Sequence, residues 1–287
     1  MRAGLITPDA GHPLLAATAR LLTAAGHAVE VLDPAGGAAA AAGPRADVYL
    51  LKSRTPAALD LARELERRGA PVLNSAAATA ACQDRTGMAG LALRAGLPFS
   101  PTRTFGSLAE LAELAELAEL AELAELAERT PAPADADGPP WPMVVKSRAS
   151  RKHDLVARVD GPRGLRELVA AWGREPVVVQ PFAPNSGWDH KLWVVGNRVF
   201  AGLRRSELAT GPGEPSRGTD RRADDRAELA LRVGAVFALD VYGVDVIDTG
   251  DGTPLIVDVN AFPGIRGQAG APEALAALAL SRARAAG

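Results

Sequence analysis

One cysteine, Cys82, stands in 287 residues. A single thiol excludes an internal disulfide and any zinc site built from several cysteines, and a reducing cytoplasm is the simplest compartment for such a chain. No apolar run approaches the roughly 20 residues that span a bilayer, so no membrane partner is expected. The N-terminus, MRAGLITPDAGHPLL, has neither a long apolar core nor a cleavage-like end, so no signal peptide is expected. Glycine-rich nucleotide signatures are missing too. No G-x-G-x-x-G follows the first predicted strand and no G-x-x-x-x-G-K-[ST] occurs, which removes support for a dinucleotide fold or a P-loop NTPase.

Acidic excess is also small: the net charge is −2. That average hides a local bias. Seven consecutive Leu-Ala-Glu triplets run from Leu108 to Glu128. Without their glutamates the 34 acidic residues fall to 27 against 32 basic, a balance of +5. The basic residues gather in KSRASRKH (Lys146 to His153), LRRS (203 to 206) and SRGTDRR (216 to 222). Such clusters suit phosphate-bearing ligands. Nucleic acid is not expected, because no recognised binding motif accompanies the charge. The triplets themselves are strong helix formers behind a plausible N-cap, Ser107. Their period of three turns each successive leucine about 300° around the axis. No apolar stripe results, and little burial against the core is expected. A flexible loop, TPAPADADGPP (130 to 140), should follow.

The first hundred residues alternate predicted strands (3–7, 28–32, 47–51, 71–74) with helices closed by glycine. This predicts a small parallel sheet flanked by helices. Further on, MVVKSR, VVVQPF and a hairpin turning at Gly196-Asn197 read as strands, followed by GVDVID and PLIVDVNAFPG. In PLIVDVN, Leu255, Val257 and Val259 alternate with Ile256, Asp258 and Asn260, which places the acid and the amide on one face. If GVDVID pairs with that strand, Asp245 joins them. Three hard oxygen donors suit Mg²⁺, which takes its remaining ligands from water and phosphate. Mn²⁺ is the alternative. Lys146 ends an apolar strand where an ammonium could reach a phosphate. Pro181 cannot donate to a ladder, so the strand should leave its sheet there and expose backbone groups for an adenine edge.

In this order the segments resemble the ATP-grasp superfamily over nearly the whole chain. The resemblance implies an α/β (α+β) ATP-grasp fold with an N-terminal Rossmann-like domain (1–84), a central subdomain (85–182) carrying the triplet helix, and a C-terminal subdomain (183–287). It further implies ATP as the nucleotide. Lys146 and Arg85 would then meet the phosphates and Gln180, Pro181 and Phe182 the adenine, with Asp189 beside the nucleotide. Asp245, Asp258 and Asn260 would hold the metal, and Arg204, Lys191 and His153 the transferring group.

Two branches are implied. Asp189 in GWDHK, Asn74-Ser75 and GIRG resemble the RimK-type carboxylate–amine ligases, which work through an acyl phosphate. DVNAFPG and the pair His153-Asp154 resemble the inositol trisphosphate 5/6-kinases, which phosphorylate a hydroxyl, and Arg85 in DRTG stands where the ligases usually have lysine. The ligase is the first expectation and the kinase the alternative. A nucleotide-binding protein without catalysis is disfavoured by the metal trio and Lys146. The expected partner is a small-molecule or peptide substrate, and a homo-oligomer is left open. Cys82, Trp188 and Trp193 read as packing residues.

Overall fold

In this computed structural model, residues 1–41, 43–128, 141–185, 187–206, 208–209, 223–249 and 253–285 are described. The loop 130–140 and the basic cluster 216–222 lie outside them.

Proline opens and glycine closes the helices of the first layer. Helix α1 (Pro13–Ala24) carries Pro13 in its first turn, and Gly26 beyond its end adopts φ +80°. Helix α2 (Pro56–Arg67) starts behind Thr55, whose hydroxyl accepts from the Ala58 N–H at 3.3 Å, and ends before Gly69 at φ +76°. These are the positions at which proline's fixed φ and glycine's positive φ cost least. Between them lie β1 (Arg2–Ile6), β2 (Ala28–Leu32), β3 (Val48–Leu51) and β4 (Val72–Leu73). They form a parallel sheet of order β2-β1-β3-β4, as the alternation predicts, and the short helix α3 (Ala76–Ala81) follows it.

A second sheet is antiparallel. Its strands are β5 (Arg103–Phe105), β6 (Met143–Ser147), β7 (Val156–Val159) and β8 (Val177–Pro181), in the order β5-β8-β6-β7. The triplet helix α5 (Leu108–Glu128) and α6 (Pro162–Trp172) pack on it. The Ser107 hydroxyl accepts from the Glu110 N–H at 3.1 Å, and Glu110 reaches back to the Gly106 N–H at 2.8 Å.

The expected lack of burial along α5 needs correction. Leu108, Leu111, Ala112 and Ala115 are buried among Met143, Val145, Leu165 and Val177. Around the axis these four lie within about 100° of one another, since each residue advances roughly 100°. The same rotation then carries the leucines off that face. Leu114, Leu117 and Leu120 are 45%, 62% and 63% exposed.

The third sheet, also antiparallel, joins β9 (Trp188–Val195), β10 (Arg198–Arg205), β11 (Val241–Asp248) and β12 (Pro254–Ala261) in the order β10-β9-β11-β12. The β9–β10 hairpin turns at Gly196, φ +58°, where the sequence places it. Helix α7 (Ala223–Phe237) covers one face, together with α4 (Arg85–Arg94), and their side chains share a core with Leu192, Val244, Ile256 and Val259. The other face is left for the site.

Long-range contacts lock the layers together. The last helix, α8 (Ala271–Ala285), returns to the first layer, where Leu275 packs with Leu14, Leu15 and Leu50. Asn74 is fully buried. Its amide donates to the Val241 carbonyl at 2.7 Å and accepts from the Asp240 and Val241 N–H groups at 2.7 and 2.8 Å. The segment Pro98–Ser100 bonds along the outer edge of β12 through Ile256, at 2.7 and 3.1 Å.

Candidate active site

Register brings the charged residues of the third sheet together. Directly opposite residues on antiparallel strands project to the same face. One row runs Gly202, Lys191, Asp245, Asp258; the next pairs Arg204 with Asp189; a third places Trp193 beside Gly243 and Asn260. Six residues singled out from the sequence, Asp189, Lys191, Arg204, Asp245, Asp258 and Asn260, therefore share one face.

The strict alternation expected in β12 does not hold. Asp245 pairs with Asp258, yet Val246 pairs with Ile256, so Val257 is an extra residue in a β-bulge. Ile256 and Val259, three apart, both enter the core, while Leu255, Val257 and Asp258 line the opposite side. The bulge turns the Val257 carbonyl toward the second sheet. The Lys146 ammonium donates to it at 2.9 Å.

A cleft opens between the second and third sheets. Arg85, Lys146, Gln180, Pro181, Phe182, Asp189, Lys191, Arg204, Asp245 and Asp258 all line it. Asn260 lies one step further along, its amide 3.4 Å from an Asp258 carboxylate oxygen. His153 does not join them. It is solvent-exposed, at φ +60° in the turn between β6 and β7. Its neighbour Asp154 points inward instead and accepts from Arg85 at 2.6 Å.

The hinge also departs from expectation. β8 keeps its pairing past Pro181, because the Phe182 N–H donates to the Pro142 carbonyl at 2.9 Å. The Gln180 amide donates to the Thr102 hydroxyl at 3.0 Å. The Arg158 guanidinium lies over the Phe182 ring, 4.1 Å from its centroid. Ala183 and Asn185 extend the same wall, as do Ser100 and Ser206 near it. None of the four carries a motif signal, because each lines the cleft through chain direction rather than through distinctive chemistry.

Cations balance the carboxylates. Lys191 contacts Asp245 at 2.6 Å and Asp189 at 3.8 Å, and Arg85 lies 3.8 Å from Asp258. Burial pushes the Asp245 carboxyl above the usual range, and Lys191 opposes the rise. Burial also brings Lys146 down to about 8, with Asp258 opposing and Arg85 reinforcing the fall. The Cys82 thiol is fully buried and pushed up to about 12 by its desolvation, so it is a core residue and not a nucleophile.

Among the described residues, no group of three or more His, Cys, Asp or Glu side chains converges. Two facing carboxylates with a neighbouring carboxamide are short of a full shell. That set fits a hard cation that draws its other ligands from phosphate and water.

Residues 123–272, more than half of the chain, match the RimK-like ATP-grasp domain. A protein of Hahella chejuensis named Probable alpha-L-glutamate ligase 2 is 30% identical over 138 residues, 44% of each chain. A Probable alpha-L-glutamate ligase of Xanthomonas campestris is 31% identical over 142 residues, 46% of this chain and 48% of that one. The match thus spans less than half the length of these curated relatives. Among solved structures, a RimK domain ATP-grasp protein of Sphaerobacter thermophilus superposes with a TM-score of 0.69 at 24% identity, over 98% of this chain and 100% of the other. The macrocyclase MdnC of Microcystis aeruginosa, bound to a precursor peptide, gives 0.65 at 13% identity, over 98% and 99%. Fold, register and matched residues place the chain in the RimK-like ATP-grasp family.

Proposed function

We propose that the protein is an ADP-forming carboxylate–amine ligase, joining an acid to an amine while ATP is converted to ADP and phosphate. The observation that carries the reading is the row Lys191, Asp245, Asp258 on one sheet facing Lys146 and the Gln180–Phe182 wall on another. Bound ATP would supply the phosphoryl group that activates the acid, and Mg²⁺ or Mn²⁺ the charge that screens it.

The chain's own residues divide the work. Lys146 holds phosphate oxygens with a charge-assisted bond. The wall from Gln180 to Phe182 receives the adenine. Asp245, Asp258 and Asn260 hold the metal. Arg204 and Lys191 meet the charge on the transferring group. Arg85, fixed by Asp154 and the Ser147 carbonyl, sets its guanidinium 3.8 Å from the Asp258 carboxylate and steadies it. Its role is positioning. His153 takes no part, being turned to solvent.

The relatives named as glutamate ligases favour glutamate, free or at the end of a peptide, as one substrate. The kinase alternative loses one of the features that suggested it, the pair His153-Asp154. Asp154 is engaged with Arg85, and His153 is outside the cleft. No helix among the described residues is long and apolar enough to cross a membrane.

A single assay tests the reading: the protein with ATP, Mg²⁺ and candidate acid and amine pairs that include glutamate, followed by phosphate release and product mass. A ligase releases phosphate only with both partners and forms the amide. Phosphate retained on an acceptor hydroxyl would overturn it. Asp258→Ala should abolish turnover while the protein stays folded.

A further inference from the structure

Past Asn260, the turn after β12 meets a second group of basic residues that the ligase reading does not use. Three segments supply it: the loop after β1, the residues after β3, and the turn after β12. They bring His12, Lys52, Arg54 and Arg266 together. Among the described residues, none of Lys52, Arg54 and Arg266 makes an ion pair. His12 is 9% exposed, and its Nδ1 is buried without a hydrogen-bond partner. One terminal nitrogen of Arg54 is buried and unpartnered as well. The Lys52 ammonium is 5.9 Å from the centroid of the Phe262 ring, two residues past Asn260.

Gly264 lies against two of them: a Cβ built there would sit 3.6 Å from His12 Nε2 and 3.8 Å from Arg266 Nε. Its backbone does not need glycine's positive φ, so what the missing side chain provides is space.

Like charges gathered with so little compensation are costly unless an anion joins them. Burial, with repulsion from Arg54 and Arg266, brings Lys52 down to about 8, and Asp9 is the carboxylate that opposes it. Burial and Lys52 likewise lower His12. Buried polar atoms without partners are rare in folded proteins and point to a missing partner. Phe262, the ring beneath Lys52, follows Asn260 by two residues, which sets the group beside the proposed metal end.

We propose that His12, Lys52, Arg54 and Arg266 bind a carboxylate of the substrate that does not react, and so select acidic substrates. This rests on the ligase reading for the direction of the cleft. The chemistry alone would also accept phosphate.

Calorimetric titration separates these. The probes are glutarate, its neutral diamide glutaramide, and inorganic phosphate, each added to the wild type and to Lys52→Met, Arg266→Gln and Gly264→Ala. Glutarate should bind the wild type and glutaramide should not. Loss of one charge-assisted contact should weaken glutarate by roughly ten-fold or more in Lys52→Met and in Arg266→Gln. Gly264→Ala keeps every charge and sets a methyl group between His12 and Arg266, where it competes with a bound carboxylate, so it should weaken glutarate too. It also preserves the test if a charge variant fails to fold.

Equal glutarate affinity in wild type and variants, or binding of glutaramide as tight as that of glutarate, would overturn the proposal. Phosphate bound more tightly than glutarate would overturn the carboxylate assignment. ATP affinity, measured in the same samples, should not change in the three variants. A wild type that binds glutarate but not ATP would sink the ligase reading and leave the carboxylate site standing.

Discussion

Lys146 and Val257, 111 residues apart, are joined by a hydrogen bond of 2.9 Å from the ammonium to the carbonyl. The bond exists because the bulge in β12 leaves Val257 without an opposite residue on β11. It ties the second sheet to the third across the cleft, and it parks a cation where a triphosphate would lie. A ligand that takes over Lys146 therefore releases a strand-to-strand tie.

Replacing Lys146 with Met keeps the apolar stem and removes the charge. ATP binding should weaken ten- to a hundred-fold, on the order of the 1.5–3 kcal/mol of one charge-assisted contact. Adenosine binding should change little, because the Gln180–Phe182 wall is untouched. Calorimetry with both ligands checks this, and equal ATP affinity in variant and wild type would remove Lys146 from the phosphate site.

The depressed Lys146 gives a pH signature. In the free protein its ammonium loses a proton as pH rises through about 8. Phosphate oxygens favour the charged form, so bound ATP raises that value. Binding near pH 8 should then take up a proton, and affinity should fall as pH climbs further. Titration in buffers of different ionisation enthalpy measures the uptake. Lys52 titrates in the same range, so the contrast between wild type and Lys146→Met is the decisive reading, and unchanged uptake in the variant would refute the assignment.

Asn74 should matter for stability and not for chemistry. Its amide satisfies two N–H groups and one carbonyl at Asp240–Val241. Asn74→Ala leaves these buried, and each unsatisfied group costs about 1–3 kcal/mol. Denaturant unfolding should show a clear loss, while the folded fraction keeps its ATP affinity.

The triplet helix should divide into two parts. Leu111→Ala removes a buried side chain and should cost about 2–5 kcal/mol. Leu117→Ala, on a side chain 62% exposed, should be close to neutral. Deleting two or three triplets from the later part, in frame, should leave turnover within a few-fold. Comparable losses from both leucines would show that the exposed stretch is covered in solution.

Local patterns in the chain determined much of this protein. Pro13, Gly26, Pro56 and Gly69 mark helix ends because their backbone limits act on immediate neighbours. Gly196-Asn197 makes its turn, Ser107 its cap, and Asp258 and Asn260 share a face, for the same reason: two to four residues settle each. Other features were decided only by tertiary contacts. Alternation could not reveal the bulge at Val257, since a bulge arises from the register between two strands. A period of three suggested no buried stripe on α5, yet packing selected the one face of about 100° that Leu108, Leu111, Ala112 and Ala115 still share. In His153-Asp154 the sequence favoured the histidine, but Arg85, some 70 residues away, draws the aspartate inward. The group of His12, Lys52, Arg54 and Arg266 has no motif at all. Its members come from three separate segments, and chain folding alone places their charges together.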